Sequence, residues 1–168
     1  KDIGIMIDVN QGWSVGESIK VSKKIEEYNP EWLEEPVMAD DFDGYEKICK
    51  STSIPIVTGE NNFTHNDLLP FMKNKKIRIL QPDIMRGGYT NLIYTAHLAN
   101  QYGIKIAPHM FPELSIHLVA SIENPSWLEY MGWYDHLWKE PLIPVNGTLK
   151  PTNRPGHGMD FKTEIFTL

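Results

Sequence analysis

Gly4-Ile5-Met6-Ile7-Asp8 is a short, mostly apolar run that ends on a carboxylate, and 26 residues on, Trp32-Leu33-Glu34-Glu35 repeats the pattern. Between the two runs, Val15, Ile19, Val21, Ile25 and Tyr28 recur at roughly helical spacing, with Lys20, Lys23, Lys24, Glu26 and Glu27 mostly on the other face. A strand-type run, an amphipathic helix and a second run make one strand-helix-strand unit, and the alternation continues to residue 129. Strands are expected over 4–8, 32–35, 56–59, 79–82, 105–108 and 127–129, and helices over 15–28, 43–50, 66–73, 90–102 and 112–121. Strands joined through helices pair in parallel with right-handed crossovers, so the expected fold class is α/β. Ser14 with Glu17 three residues later has the form of a capping box, and Gly103 stands where a left-handed cap closes the fourth helix. After Trp133 the pattern stops, and the Pro and Gly residues between 141 and 158 make 134–168 read as an irregular tail.

Each expected strand ends on or beside an ionisable residue: Asp8, Glu34, Glu60, Asp83, His109 and Glu129, at spacings of 26, 26, 23, 26 and 20. That spacing is the length of one strand-helix unit, so a structural period repeats although residue identity does not. In a parallel barrel the C-terminal strand ends form the rim that carries active sites, and gathering six titratable groups there is costly if stability is the only purpose.

A single strand-end acid is more often a helix cap or a solvated rim residue than a ligand, but three on successive strands change the balance. Asp8, Glu34 and Glu60 are hard oxygen donors suited to an octahedral Mg²⁺ that keeps positions for water and substrate. No Cys or His stands among them, which disfavours zinc. Glu34 and Glu35 are adjacent and point to opposite faces of a strand, and spacing selects Glu34. His109, in Ala107-Pro108-His109-Met110, and Asp83, in Gln81-Pro82-Asp83, lie on neighbouring strands, where the carboxylate can orient the imidazole and raise its basicity. The remaining histidines, His65, His97, His117, His136 and His157, fall on helices or loops and need no functional reading. Glu129 either presents a protonated carboxyl to a developing oxyanion or ties down a loop, and the residues alone favour neither. Arg86-Gly87-Gly88 opens a helix, a weak signal for an anion site.

Composition removes whole classes of function. With 41% hydrophobic and 23% charged residues in 168, and 12 each of Gly and Pro, the chain is neither fibrous nor disordered and has room for a core. A net charge of −6 leaves no basic surplus for phosphates, so nucleic acid is not an expected partner. No apolar run reaches membrane-spanning length and the first residues have no signal-peptide pattern, so neither a membrane nor export is expected. Cys49 is the single cysteine, which forbids an intrachain disulfide and suits a reducing, cytoplasmic location.

Together, Asp8-Val9-Asn10, Trp32-Leu33-Glu34-Glu35-Pro36, Gly59-Glu60-Asn61, Pro82-Asp83-Ile84-Met85-Arg86-Gly87-Gly88, Pro108-His109 and Trp127-Leu128-Glu129 closely resemble the C-terminal barrel of the mandelate racemase subgroup of the enolase superfamily. The resemblance covers essentially the whole chain. It implies Mg²⁺ held by Asp8, Glu34 and Glu60, a general-base dyad of His109 and Asp83, Glu129 hydrogen-bonding the substrate carboxylate opposite the metal, and Asn10 near the substrate. It also implies abstraction of the proton α to a carboxylate through an enediolate. Six units then correspond to strands 3 to 8 of a TIM-like (β/α)7β barrel over residues 1–133, with the 134–168 tail expected to pack against an N-terminal capping domain. That domain, the first two barrel strands and the family's Lys-x-Lys base motif are absent from this sequence, which therefore reads as the C-terminal portion of a larger protein. Asn10, Asn61, Asn62 and Arg86 suggest a polar, aromatic-poor rim, so dehydration of an acid sugar is the expected reaction. Racemase, epimerase or cycloisomerase chemistry is the alternative, and a non-catalytic metal-binding fragment the rival from another class. A binding surface needs no base, which argues against the rival. The expected partner is a small hydroxy-carboxylate, and the complete protein is expected to be a homo-oligomer.

Overall fold

The computed structural model describes residues 3–166; residues 1–2 and 167–168, the outer ends of the two expected segments, lie outside the described residues. Its elements run β1 (Met6–Asp8), α1 (Val15–Ile25), β2 (Trp32–Glu34), α2 (Phe42–Ser51), β3 (Ile56–Val57), α3 (His65–Lys73), β4 (Ile79–Leu80), α4 (Ile84–Gln101), β5 (Lys105–Ile106) and α5 (Pro112–Ser121). Local chemistry explains the boundaries. At α1 the Ser14 hydroxyl accepts the Glu17 N–H at 3.3 Å while the Glu17 carboxylate accepts the Ser14 N–H at 2.9 Å. Thr64 and Asp67 build the same reciprocal cap at α3, so that helix begins at His65. Gly103, at φ 68°, closes α4 with Ile104 N–H donating to the Ala99 carbonyl at 3.0 Å.

Two expectations need correction. The fourth helix starts at Ile84 instead of 90, because Asp83 caps a first turn; Gly88, at φ 72° and ψ 160°, then kinks the chain before the helix continues. Residues 127–129 do not form a strand. The chain meets β5 in one parallel bridge, Ile106 with Pro125, closed by Ser126 N–H donating to the Ile106 carbonyl at 2.7 Å. Ile106 makes both bonds of that bridge, its N–H donating to the Asn124 carbonyl at 2.9 Å, so the Pro125 nitrogen faces away from β5, and the chain leaves the sheet after Ser126.

The strands are parallel and neighbour one another in chain order, β1-β2-β3 and β4-β5. A bridge between Thr58 and Leu80, with Gln81 N–H donating to the Thr58 carbonyl at 2.9 Å, joins the two groups into one wall. Alternation along the strands turns Leu33, Ile56, Leu80 and Ile106 outward, where they share a buried cluster with Tyr45 and Ile48 of α2, Phe71 of α3, and Leu92 and Ala96 of α4. Each such side chain contributes about 1.5–3 kcal/mol by leaving water, so the core lies between wall and helices and frees the inner face for polar groups. The tail folds back onto α5: Trp138, Leu142 and Met159 pack with Ile116, and the Trp138 indole donates to Glu113 at 3.1 Å. Among the described residues no helix is long and apolar enough to cross a membrane.

Both ends of the wall are apolar and open. Ile3 and Ile5 flank β1 at 91% and 53% exposure, and beyond the Pro125 bridge Trp127 and Trp133 are 55% and 61% exposed. Unpaired strand edges beside exposed apolar side chains recruit further strands. The isolated 168-residue chain is therefore expected to self-associate; a monomer in analytical ultracentrifugation with a cooperative melt would contradict this.

Candidate active site

The inner face of the wall and the 125–133 segment enclose a cavity of about 580 Å³. Asp8, Asn10, Glu34, Glu60, His109 and Glu129, all singled out from the sequence, line it, and Gln81 joins them. Asp83 stands one layer behind, against His109. Asp8 and Glu34 arrive together because they are register partners across β1 and β2. Glu60 needs a device. Thr58 points outward to the Tyr45 hydroxyl at 3.1 Å, so strict alternation would send Glu60 outward too. Gly59, at φ 139°, breaks the alternation, and a Cβ there would stand 2.9 Å from the Gln81 nitrogen. Only glycine lets the chain turn this close to β4.

Asp83 and His109 pair across a parallel bridge, with His109 N–H donating to the Pro82 carbonyl at 3.2 Å. Asp83 Oδ1 accepts the Met85 N–H at 2.6 Å, and its Oδ2 lies 2.7 Å from His109 Nδ1. That bond places the Nδ1 proton toward Asp83, so Nε2 faces the cavity, 3.3 Å from Glu60. Burial would raise the Asp83 pKa, but hydrogen bonds from His109 and the Met85 N–H outweigh it and hold the carboxyl below its usual range. Burial likewise pulls the His109 pKa down, yet the Asp83 hydrogen bond and the charges of Glu60, Glu129 and Asp83 raise it overall.

The carboxylates on the other side repel one another. Glu34 is pushed up to about 7 by burial and by the charges of Asp8 and Glu60, with hydrogen bonding from Gln81 and Trp32 opposing. Burial also raises Glu60, with His109 opposing and Asp8 and Glu129 adding to the rise. Among the described residues no three His, Cys, Asp or Glu side chains are arranged to hold a metal ion. The three carboxylates share a cavity without closing on a common point. Asp8 instead accepts the backbone N–H of Asn10 at 2.8 Å and the Asn10 side-chain amide.

Glu35 is 1% exposed and does not line the cavity; its carboxylate accepts the Asn61 amide at 2.8 Å and the Thr58 hydroxyl at 3.4 Å. Asn61 in turn accepts from Arg86 at 3.0 Å. Asn61 and Arg86 therefore bond each other outside the cavity, and the expected polar, aromatic-poor rim is corrected: Met6, Trp32, Leu128, Met131, Trp127 and Trp133 make one wall apolar. The signal was present, since Met6, Trp32 and Trp127 each stand two residues before a strand-end acid, on the same face of an extended chain, as Gln81 does before Asp83.

A wall of parallel strands with an acid or histidine at each C-terminal end is a barrel arrangement, and the family comparison agrees. The model of the enolase C-terminal domain-like family matches residues 1–165. The chain belongs to that family. This enolase-type domain is 32% identical over 158 residues to L-talarate/galactarate dehydratase of Salmonella typhimurium, a match covering 94% of this chain and 39% of the relative. It is 29% identical over 162 residues to 3,6-anhydro-alpha-L-galactonate cycloisomerase of Streptomyces coelicolor, covering 94% and 45%. Its fold matches the crystal structure of L-talarate dehydratase from Polaromonas sp. complexed with Mg and L-glucarate, at a TM-score of 0.90 and 29% identity, over 98% of this chain and 46% of that one. The enolase-type domain thus spans less than half the length of these relatives. The strands are a portion of a TIM-like barrel.

Proposed function

We propose that this domain carries the metal site and general base of a Mg²⁺-dependent enzyme that dehydrates an acid sugar. The observation that carries the reading is His109, its Nδ1 bonded to Asp83 at 2.7 Å and its Nε2 turned into a cavity ringed by carboxylates. A base so oriented can take the proton α to a carboxylate. Once the α-proton is on His109, the β-hydroxyl takes up a proton and leaves as water, so that H and OH are lost overall, and the enol left behind settles as a 2-keto-3-deoxy acid. Glu129, with one oxygen occupied by the Met110 N–H at 2.7 Å, meets the substrate carboxylate with the other, and Asn10 stands at the rim.

Asp8, Glu34 and Glu60 are the residues that would hold the cation: they are hard oxygen donors lining one cavity, and although they do not close on one point here, their mutual repulsion calls for a counter-charge. When bound, Mg²⁺ supplies the positive charge that stabilises the substrate carboxylate as the α-carbon loses its proton. Calorimetry of the complete protein is expected to show a larger loss of Mg²⁺ affinity for Glu60→Gln than for Glu35→Gln, because Glu35 turns away from the cavity. Equal losses would remove Glu60 from the ligand set.

The related dehydratases act on acid sugars by name, which supports that substrate class here. The test is incubation of the complete protein with Mg²⁺ and a panel of acid sugars, reading the 2-keto-3-deoxy product as semicarbazone absorbance. An epimer formed without loss of water would establish racemase or epimerase chemistry, a rearranged lactone or anhydro ring would establish the cycloisomerase, and no turnover of any acid would end the catalytic reading.

A further inference from the structure

Immediately after His109 the backbone does something costly. Met110 and Phe111 both take left-handed conformations, at φ 49° and 46°, although neither is Gly, Asn or Asp. The turn is pinned at both peptide groups of Met110. Its N–H donates to Glu129 Oε2 at 2.7 Å, and its carbonyl accepts the Ser115 hydroxyl at 3.1 Å. Ser115 is fully buried, in the first turn of the helix that the strained pair opens. Phe111 is held as well, its ring stacked on Tyr134 at 5.6 Å between centroids.

We propose that Glu129 and Ser115 clamp this left-handed turn and thereby aim His109, acting as positioning residues through Met110. The physical case is direct. His109 has its ring fixed on one side by Asp83 and its N–H fixed by the Pro82 carbonyl, but the chain leaving it follows a path that Met and Phe do not choose unaided. Strain of this kind persists only where surrounding contacts over-determine it: Phe111 is held by its stacking on Tyr134 and by the Leu114 and Ser115 N–H groups donating to its carbonyl at 3.0 and 2.8 Å, and Met110 by one carboxylate and one hydroxyl. Without them the turn relaxes toward ordinary φ and carries the His109 main chain with it, lengthening the 2.7 Å bond to Asp83. Glu129 then has two duties on two oxygens, one toward the turn and, on the functional reading above, one toward substrate.

Substitution separates those duties in the complete protein. Glu129→Gln removes the acid but keeps an oxygen that can accept the Met110 N–H; Glu129→Leu removes both. Ser115→Ala releases the carbonyl side with little change of volume. Two quantities are read: the low-field proton resonance of His109 Nδ1, which reports its bond to Asp83 whatever the enzyme turns over, and α-proton exchange with its kcat and KM. Glu129→Gln is expected to keep the resonance. Glu129→Leu and Ser115→Ala are expected to lose or broaden it; Glu129→Leu falls about tenfold below Glu129→Gln in kcat and raises KM as well, because the substrate contact goes with the clamp, whereas Ser115→Ala, at a residue that does not line the cavity, lowers kcat with KM within about twofold, the signature of a misaimed base. If Gln and Leu at 129 give the same resonance and the same kcat, or if folded Ser115→Ala matches the wild type in both, the clamp is refuted. If the wild type turns over no acid, the functional reading fails while the resonance comparison still decides the clamp.

Discussion

Replacing His109 with asparagine in the complete protein is expected to abolish exchange of the substrate α-proton with deuterated solvent while leaving Mg²⁺ binding intact. Asparagine roughly preserves the polar shape but has no nitrogen that accepts a proton near neutral pH, so the step assigned to Nε2 has no acceptor. The carboxylates proposed to hold the cation are carried by the backbone of β1, β2 and the Gly59 turn, and the substitution takes from them only the 3.3 Å contact between Glu60 and Nε2. Loss of the α-proton signal in NMR measures the first arm and calorimetry the second. Persistent exchange would move the base elsewhere, and loss of both properties together would mean that His109 organises the site and not the chemistry alone.

Asp83→Asn is expected to cost on the order of 10² to 10⁴ in rate, the range assigned to general-base catalysis. The asparagine oxygen can still accept the Met85 N–H that starts α4, so the helix cap survives. Its NH₂ group then faces His109 Nδ1, where the wild type presents an acceptor at 2.7 Å. The favoured tautomer reverses, the proton moves to Nε2, and the nitrogen facing the cavity can no longer take one. The pH dependence follows in sign. Burial depresses the His109 pKa while the Asp83 bond and the charges of Glu60, Glu129 and Asp83 raise it, so removing the Asp83 carboxylate lowers the pKa relative to the wild type. The imidazole then stays neutral to lower pH, and the rising limb of kcat/KM shifts toward acid. An unchanged limb would show that Asp83 does not govern this histidine.

Much of the site was legible because its residues obey a long-range period that a single chain displays. Asp8, Glu34, Asp83 and His109 fall where strand-helix units of about 26 residues end, and parallel pairing brings such ends together. The rest depended on backbone detail that spacing does not carry. Trp127-Leu128-Glu129 has the pattern of a strand, but the chain pairs with β5 only through the Ile106–Pro125 bridge and leaves the sheet before residue 127. Glu60 lines the cavity for a reason that spacing does not carry, since alternation alone points it the other way and the Gly59 conformation turns it back. Asn61 and Arg86 looked like substrate contacts because they are polar and near a strand end, whereas in three dimensions they satisfy each other and buried Glu35. Strain at Met110 and Phe111 has no sequence signal, as neither residue type advertises a left-handed turn.

The wall is not equally strong along its length. Ladders tie β1 to β2 and β2 to β3, and another ties β4 to β5, but between β3 and β4 the backbone is joined by the Thr58–Leu80 bridge and the Gln81 amide. That seam runs between the three carboxylates and the base pair. One buried cluster spans both sides, so opening at this thin backbone pairing is expected to be a local event, one that parts the charge cluster from the proton acceptor. The hydrogen-exchange rate of the Gln81 amide therefore acts as a gauge of whether the two half-sites are engaged.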